Sequence, residues 1–100
     1  MVVSRIRIVA GDPDAVERQY RERVGHVDRA DGFLGMEVLR DQDDPASFWV
    51  QVRFRDRAAY DRYKRSDAFR DAHARLALQD EKVRIDPDAY DVHVLDVVAR

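Results

Sequence analysis

The chain has 100 residues, 45 % of them hydrophobic and 38 % charged, which suits one folded domain over residues 1–100 and leaves no length for a second core. Its 18 Lys and Arg against 20 Asp and Glu give a formal net charge of -2, which argues against a cationic footprint for nucleic acid or anionic lipid. Cysteine is absent, so disulfides, thiolate nucleophiles, Fe–S clusters and Cys-based zinc sites drop out together.

Val2 to Ala10 alternates, with Val2, Ser4, Ile6, Ile8 and Ala10 on one side and Val3, Arg5, Arg7 and Val9 on the other, which predicts a strand. Gly11-Asp12-Pro13-Asp14 turns the chain; Asp12 suits an N-cap and Pro13 the first helical position. Val16, Tyr20, Val24 and Val27 then recur at helical spacing with Arg18, Arg21, Glu22 and Arg29 mostly off that stripe, and Asp31-Gly32 ends the run. Phe33 to Arg40 is a second strand. The turn Asp41 to Pro45 leads to a third, Ser47 to Arg55, in which Phe48, Val50, Val52 and Phe54 share a face opposite Trp49, Gln51, Arg53 and Arg55. Asp56 can cap a helix carrying Ala59, Tyr60 and Tyr63, and Ser66-Asp67 reads as a fresh cap or kink before Phe69, Ala72, His73 and Leu76. Gln79 to Ala89 reads as a loop of functional length. Tyr90 to Val98 closes the chain as a fourth strand.

The order β-α-β-β-α-β is an α+β, ferredoxin-like arrangement: a four-stranded antiparallel sheet with two helices on one face. Two helices cover one face only, and the second and fourth strands carry large apolar residues on both parities. Leaving such a face wet forfeits several kcal/mol at roughly 25 cal/mol per Å² and invites aggregation. A second copy packed sheet to sheet about a two-fold axis solves this, so a homodimer is expected. The apolar runs are too short to span a bilayer and the first residues do not form a signal peptide, so a cytoplasmic setting, away from membranes, is expected.

Few residues can carry chemistry. His73, four residues after Phe69 and three before Leu76, lies near the edge of an apolar helical face, and two readings are open: a histidine half covered by packing, or a metal or haem-iron ligand beside a greasy cavity. His26 and His93 have no second ligand nearby in sequence, and zinc-type spacings are lacking. Ser4, Ser47 and Ser66 lack the setting of a catalytic serine. The run Arg53, Arg55, Arg57, Arg62 and Arg65, broken by Asp56 and Asp61, reads as a charge-paired face or as a means of gripping a carboxylate. Tyr60, Tyr63 and Phe69 form an aromatic stripe that is either core or, if it fails to close on the Phe48–Phe54 face, the wall of a slot for a flat hydrophobic ligand.

Gly32-Phe33-Leu34-Gly35-Met36-Glu37-Val38-Leu39-Arg40, then Asp44-Pro45, Phe48-Trp49-Val50 and Arg57-Ala58-Ala59-Tyr60, resemble the antibiotic-biosynthesis-monooxygenase superfamily of dimeric α+β barrels over nearly the whole chain. Ser66 to His73 resembles more particularly the second helix of the bacterial haem-degrading monooxygenases, in which a histidine at the position of His73 ligates haem iron. That resemblance implies haem as cofactor, His73 as its metal ligand, and Tyr60, Tyr63 and Phe69 as pocket wall. It implies catalytic positions at Ser4, where that branch has asparagine, and at Phe54, where it has tryptophan; both share the helix-side face. The function it implies is haem binding extending to oxidative haem degradation by O2. The alternatives are a cofactor-free monooxygenase that deprotonates a quinol-like or polyketide aromatic for direct reaction with oxygen, and a non-enzymatic dimer that binds a hydrophobic small molecule.

Overall fold

A computed structural model describes residues 1–22, 27–71 and 83–100. The alternating opening forms strand β1, Val2–Ala10. Gly11 turns the chain at φ 91, and the Asp12 carboxylate accepts from the Asp14 N–H at 2.9 Å, which caps helix α1, Pro13–Arg21, with its proline in the first turn. Val16 is buried from this helix, and Val27 from a 3-10 turn at Val27–Arg29. Strands β2, Phe33–Arg40, and β3, Ser47–Phe54, follow as a hairpin. Asp56 accepts from the Ala59 N–H at 2.8 Å to start helix α2, Arg57–Lys64. At Ser66 the chain does cap again: its hydroxyl donates to the Tyr63 carbonyl at 2.5 Å and accepts from the Phe69 N–H at 3.2 Å, and residues 67–71 are helical.

The sheet is antiparallel, in the order β2-β3-β1, with two short strands on the remaining edge of β1. This is the expected α+β ferredoxin-like arrangement with its fourth strand divided. Strand β4, Arg84–Ile85, pairs with the Ile8–Ala10 end of β1, and strand β5, Asp91–Val94, with the Val2–Arg5 end. Between them Pro87–Ala89 forms a 3-10 turn capped by Asp86, and a proline ring there removes a ladder donor. The expected loop at Gln79 to Ala89 therefore contains a strand in its described part. The expected strand at Tyr90 to Val98 shortens because Leu95, bonded to Met1 in both directions at 2.7 and 2.9 Å, is its last ladder partner.

A second difference lies in β2. Phe33 stands opposite Phe54, but Gly35 stands opposite Arg53 and Met36 opposite Val52, so Leu34 is a β-bulge. Alternation alone would set Phe33 against Met36 on opposite faces. The extra residue returns both to the helix side and leaves Leu34 63 % exposed.

Ile6, Ile8 and Phe48 from the sheet and Val16 from α1 form the core, with Tyr20, Val38, Ala46 and Val83 packed around them. Arg40 closes its rim: the guanidinium lies 5.3 Å from the Phe48 ring centroid, donates to the Pro45 carbonyl at 2.7 Å and pairs with Asp14 at 2.7 Å. The β2–β3 turn is tied to β1 through Asp44, which accepts from Arg7 Nε at 2.9 Å and from the fully buried Ser47 hydroxyl at 2.8 Å. The Arg7 bond, with Ser47 adding to it, holds the Asp44 carboxyl below the usual carboxylate range. Among the described residues no helix is long and apolar enough to cross a membrane.

Candidate functional site

Strand register fixes what the helix side of the sheet presents between α1 and α2. One row runs Val38, Val50, Ser4, Val92; the next runs Met36, Val52, Val2, Val94. Every residue in them except Val2 is half-buried or exposed, so this part of the sheet is an incompletely covered apolar floor. Ser4 supplies the one polar side chain in these two rows. Phe54 lies four residues along β3 from Ser4's neighbour Val50, about 13 Å at the usual rise of a strand. The two catalytic candidates thus share a face, as parity predicts, but are not brought together.

Phe54 is the hub of an aromatic cluster. Its ring centroid is 5.6 Å from Tyr60, 5.7 Å from Tyr63 and 6.4 Å from Phe33 in edge contact, while Tyr63 meets Phe69 edge-on at 5.5 Å. Tyr60 and Tyr63 therefore pack on Phe54, and Phe69 on Tyr63, while Tyr63 also reaches a cleft between residues 29–31 and α2. Burial raises the Tyr60 phenol, with Asp61 adding to it and Arg57 opposing it; burial also raises the Tyr63 phenol, with Asp28 adding to it. At neutral pH both are protonated, so they are hydrogen-bond donors and not bases.

Two shallow clefts flank these features. One of about 180 Å³ lies between α1 and the β2–β3 hairpin, over Val38 and Phe48. The other, of about 330 Å³, lies between residues 29–31 and α2 and reaches Tyr63. Both are at or below the small end of the roughly 300–1,000 Å³ range of ligand sites. Among the described residues neither cleft has a histidine in its lining and Tyr60 and Tyr63 rest on Phe54, so these residues do not fit haem. His73 and His26 lie outside the described residues. His93 stands on the opposite face of the sheet, 3.6 Å from Asp91. Among the described residues no three His, Cys, Asp or Glu side chains come together as metal ligands.

Phe33 and the valines of β5 are the site residues that sequence alternation missed. The available signal was Gly35: a glycine inside a strand marks a bulge or a close approach. A Cβ there would sit 2.6 Å from the Arg53 guanidinium.

The described helices thus stand over an apolar, partly open floor on a ferredoxin-like fold. The antibiotic biosynthesis monooxygenase family model matches residues 1–75, and the chain belongs to that family. Among solved structures, a mutant of SnoaB, a cofactor-independent oxygenase from Streptomyces nogalater, has TM-score 0.70 at 18 % identity, over 99 % of this chain and 95 % of that one. The protein PA3566 from Pseudomonas aeruginosa has TM-score 0.70 at 22 % identity, over 98 % and 92 %. An antibiotic biosynthesis monooxygenase has TM-score 0.66 at 24 % identity, over 99 % and 100 %. At these identities the likeness is one of fold. No curated protein matches the chain.

Proposed function

We propose that this protein is a cofactor-free monooxygenase that takes a flat phenolic aromatic, quinol-like or polyketide in type, onto the floor between α1 and α2. The observation that carries the reading is that floor: two rows of valines and a methionine interrupted by the Ser4 hydroxyl, in a member of the antibiotic biosynthesis monooxygenase family. The fold shared with SnoaB, itself a cofactor-independent oxygenase, supports it.

The chemistry suits such a surface. An aromatic ring lies flat on the valines, and Ser4 donates a hydrogen bond to its phenolic or carbonyl oxygen. A proton passes from the substrate to water at the open edge of the floor, leaving an electron-rich anion that reduces O2 directly, and it is returned when the second oxygen departs. A C–O bond forms, the O–O bond breaks, one oxygen stays on carbon as a carbonyl and the other leaves as water. All four electrons come from the substrate, so no separate reductant is required. The valines give the ring an apolar bed, and the protonated Tyr60 and Tyr63 beside Phe54 offer further donors at that end of the sheet.

Oxygen uptake with a panel of hydroquinones and anthrones tests this. The expected result is saturable uptake of one O2 per substrate by protein free of added haem, flavin or metal. Ser4→Val should lower kcat/KM by about tenfold, the worth of one hydrogen bond to a developing charge. Absence of uptake over the panel, together with a saturable Soret shift on hemin titration that His73→Ala removes, would replace this reading with haem binding.

The assembly that goes with this function is a homodimer formed through the other face of the sheet. That face carries Arg5, Trp49, Gln51 and Leu39, each half-buried or exposed.

A further inference from the structure

The cleft between residues 29–31 and α2 has a composition of its own. Ala30, Ala59 and Ala68 make its small-residue walls, and the half-buried Tyr63 ring adds an aromatic surface. Arg29 and Arg62 stand among its lining residues. Their charges are not equally spent. The Asp31 carboxylate is shared through one oxygen, 3.1 Å from Arg62 and 3.7 Å from Arg55, and Arg55 has a second acid in Asp56 at 3.4 Å. Arg29 has no counter-ion among the described residues. Asp28 is near enough to raise the Tyr63 phenol.

The geometry points to a binding site for a small aromatic monocarboxylate, its ring against Tyr63 and the alanine walls and its carboxylate held by Arg29 and Arg62. A guanidinium presents paired N–H donors that match a carboxylate, and such charge-assisted bonds are about twice as strong as neutral ones. Arg62 uses one nitrogen on Asp31 and keeps the rest of its fork for a ligand. The ligand's carboxylate supplies the counter-ion that Arg29 lacks among the described residues. The volume of about 330 Å³ holds one or two fused rings, and the alanines are what keep it open. This site is separate from the valine floor and does not depend on the oxidation chemistry.

Calorimetric titration with 2-naphthoate, and with 2-naphthol as the uncharged analogue, tests the assignment, with amide chemical-shift mapping to locate the ligand. The expected result is one naphthoate per chain, bound at least tenfold more tightly than naphthol, with shifts centred on Ala30, Ala59 and Ala68. Arg29→Gln, an exposed position whose change leaves the core untouched, should weaken naphthoate about tenfold and leave naphthol unaffected. Ala68→Leu should fill the cleft and abolish binding of both. Equal affinity for acid and alcohol, indifference to Arg29→Gln, binding retained in Ala68→Leu, or shifts centred on Ser4 and Val50 would each overturn it.

Discussion

Burial pushes the Tyr20 phenol up to about 12, and the Tyr90 phenol adds to the push. The consequence for stability follows from which state ionises first. Below pH 10 both the folded and the unfolded chain keep the proton, so the phenol's contribution is fully present. Between pH 10 and 12 the unfolded chain loses its proton while the folded one retains it, and folding weakens as pH rises. Two pKa units correspond to about 2–3 kcal/mol at the top of that window. Urea unfolding of the native protein and of Tyr20→Phe at pH 9, 10, 11 and 12 checks this. The native midpoint should fall steeply above pH 10, and that of Tyr20→Phe should fall less, the remaining slope coming from Tyr60 and Tyr63, which burial also raises. Parallel slopes would show that the buried phenol is not the cause. Residues such as Tyr20 and Ser4 are legible in sequence because a face is a matter of counting by two in a strand or by three and four in a helix. Their neighbours are less so. That Phe54 meets Phe33 depends on one extra residue, Leu34, which shifts the count locally, and within Phe33 to Arg40 it is Gly35, not the alternation, that signals it.

At the scale of elements, caps were readable because they are local chemistry: Asp12 with Pro13, Asp56 and Ser66 each satisfy N–H groups within three residues of themselves. The divided fourth strand was not, because whether Arg84 and Ile85 join a sheet depends on the free edge of β1, some 75 residues earlier in the chain. The junction of β2 with α2 shows a third case, in which one residue sets how two elements meet. Gly32 has φ 82, its carbonyl accepts from the Arg55 N–H at 2.7 Å, and a Cβ added to it would come 2.5 Å from the Cβ of Ala59, which is fully buried. Gly32→Ala therefore meets two costs: about 1–2 kcal/mol for a left-handed backbone and a further 1–3 kcal/mol for overpacking against α2. A double-mutant cycle separates them. In an Ala59→Gly background the added methyl has room, so Gly32→Ala should cost only the backbone share in urea unfolding. The same loss in both backgrounds would mean that contact with α2 does not set the penalty.

For the whole molecule, the open feature is the sheet face on which no helix lies among the described residues. On it the Arg5 guanidinium lies 5.2 Å from the Trp49 ring centroid with its Nε buried and lacking an acceptor, while Leu39 and Leu95 are exposed. Glu37 with Arg53, at 3.5 Å, and Asp91 with His93 place both signs of charge on this face, so it is not barred from meeting itself by repulsion. A two-fold contact between identical faces would bury the leucines and the indole together, and a stable interface of this kind covers roughly 800 Å² on each partner. The test uses the chain's single tryptophan as both probe and target. Native protein should sediment at about twice the 11.7 kDa of one chain, and its Trp49 emission should shift to the red on dilution as the indole meets water. Trp49→Glu places a carboxylate from each copy at the contact, where two like charges cannot both be desolvated, and it leaves the Ile6–Phe48 core untouched. It should sediment as a single chain with an unchanged far-UV spectrum. A native protein that stays monomeric at high micromolar concentration, or a folded Trp49→Glu variant that stays dimeric, would show that this face is covered by something other than a second copy.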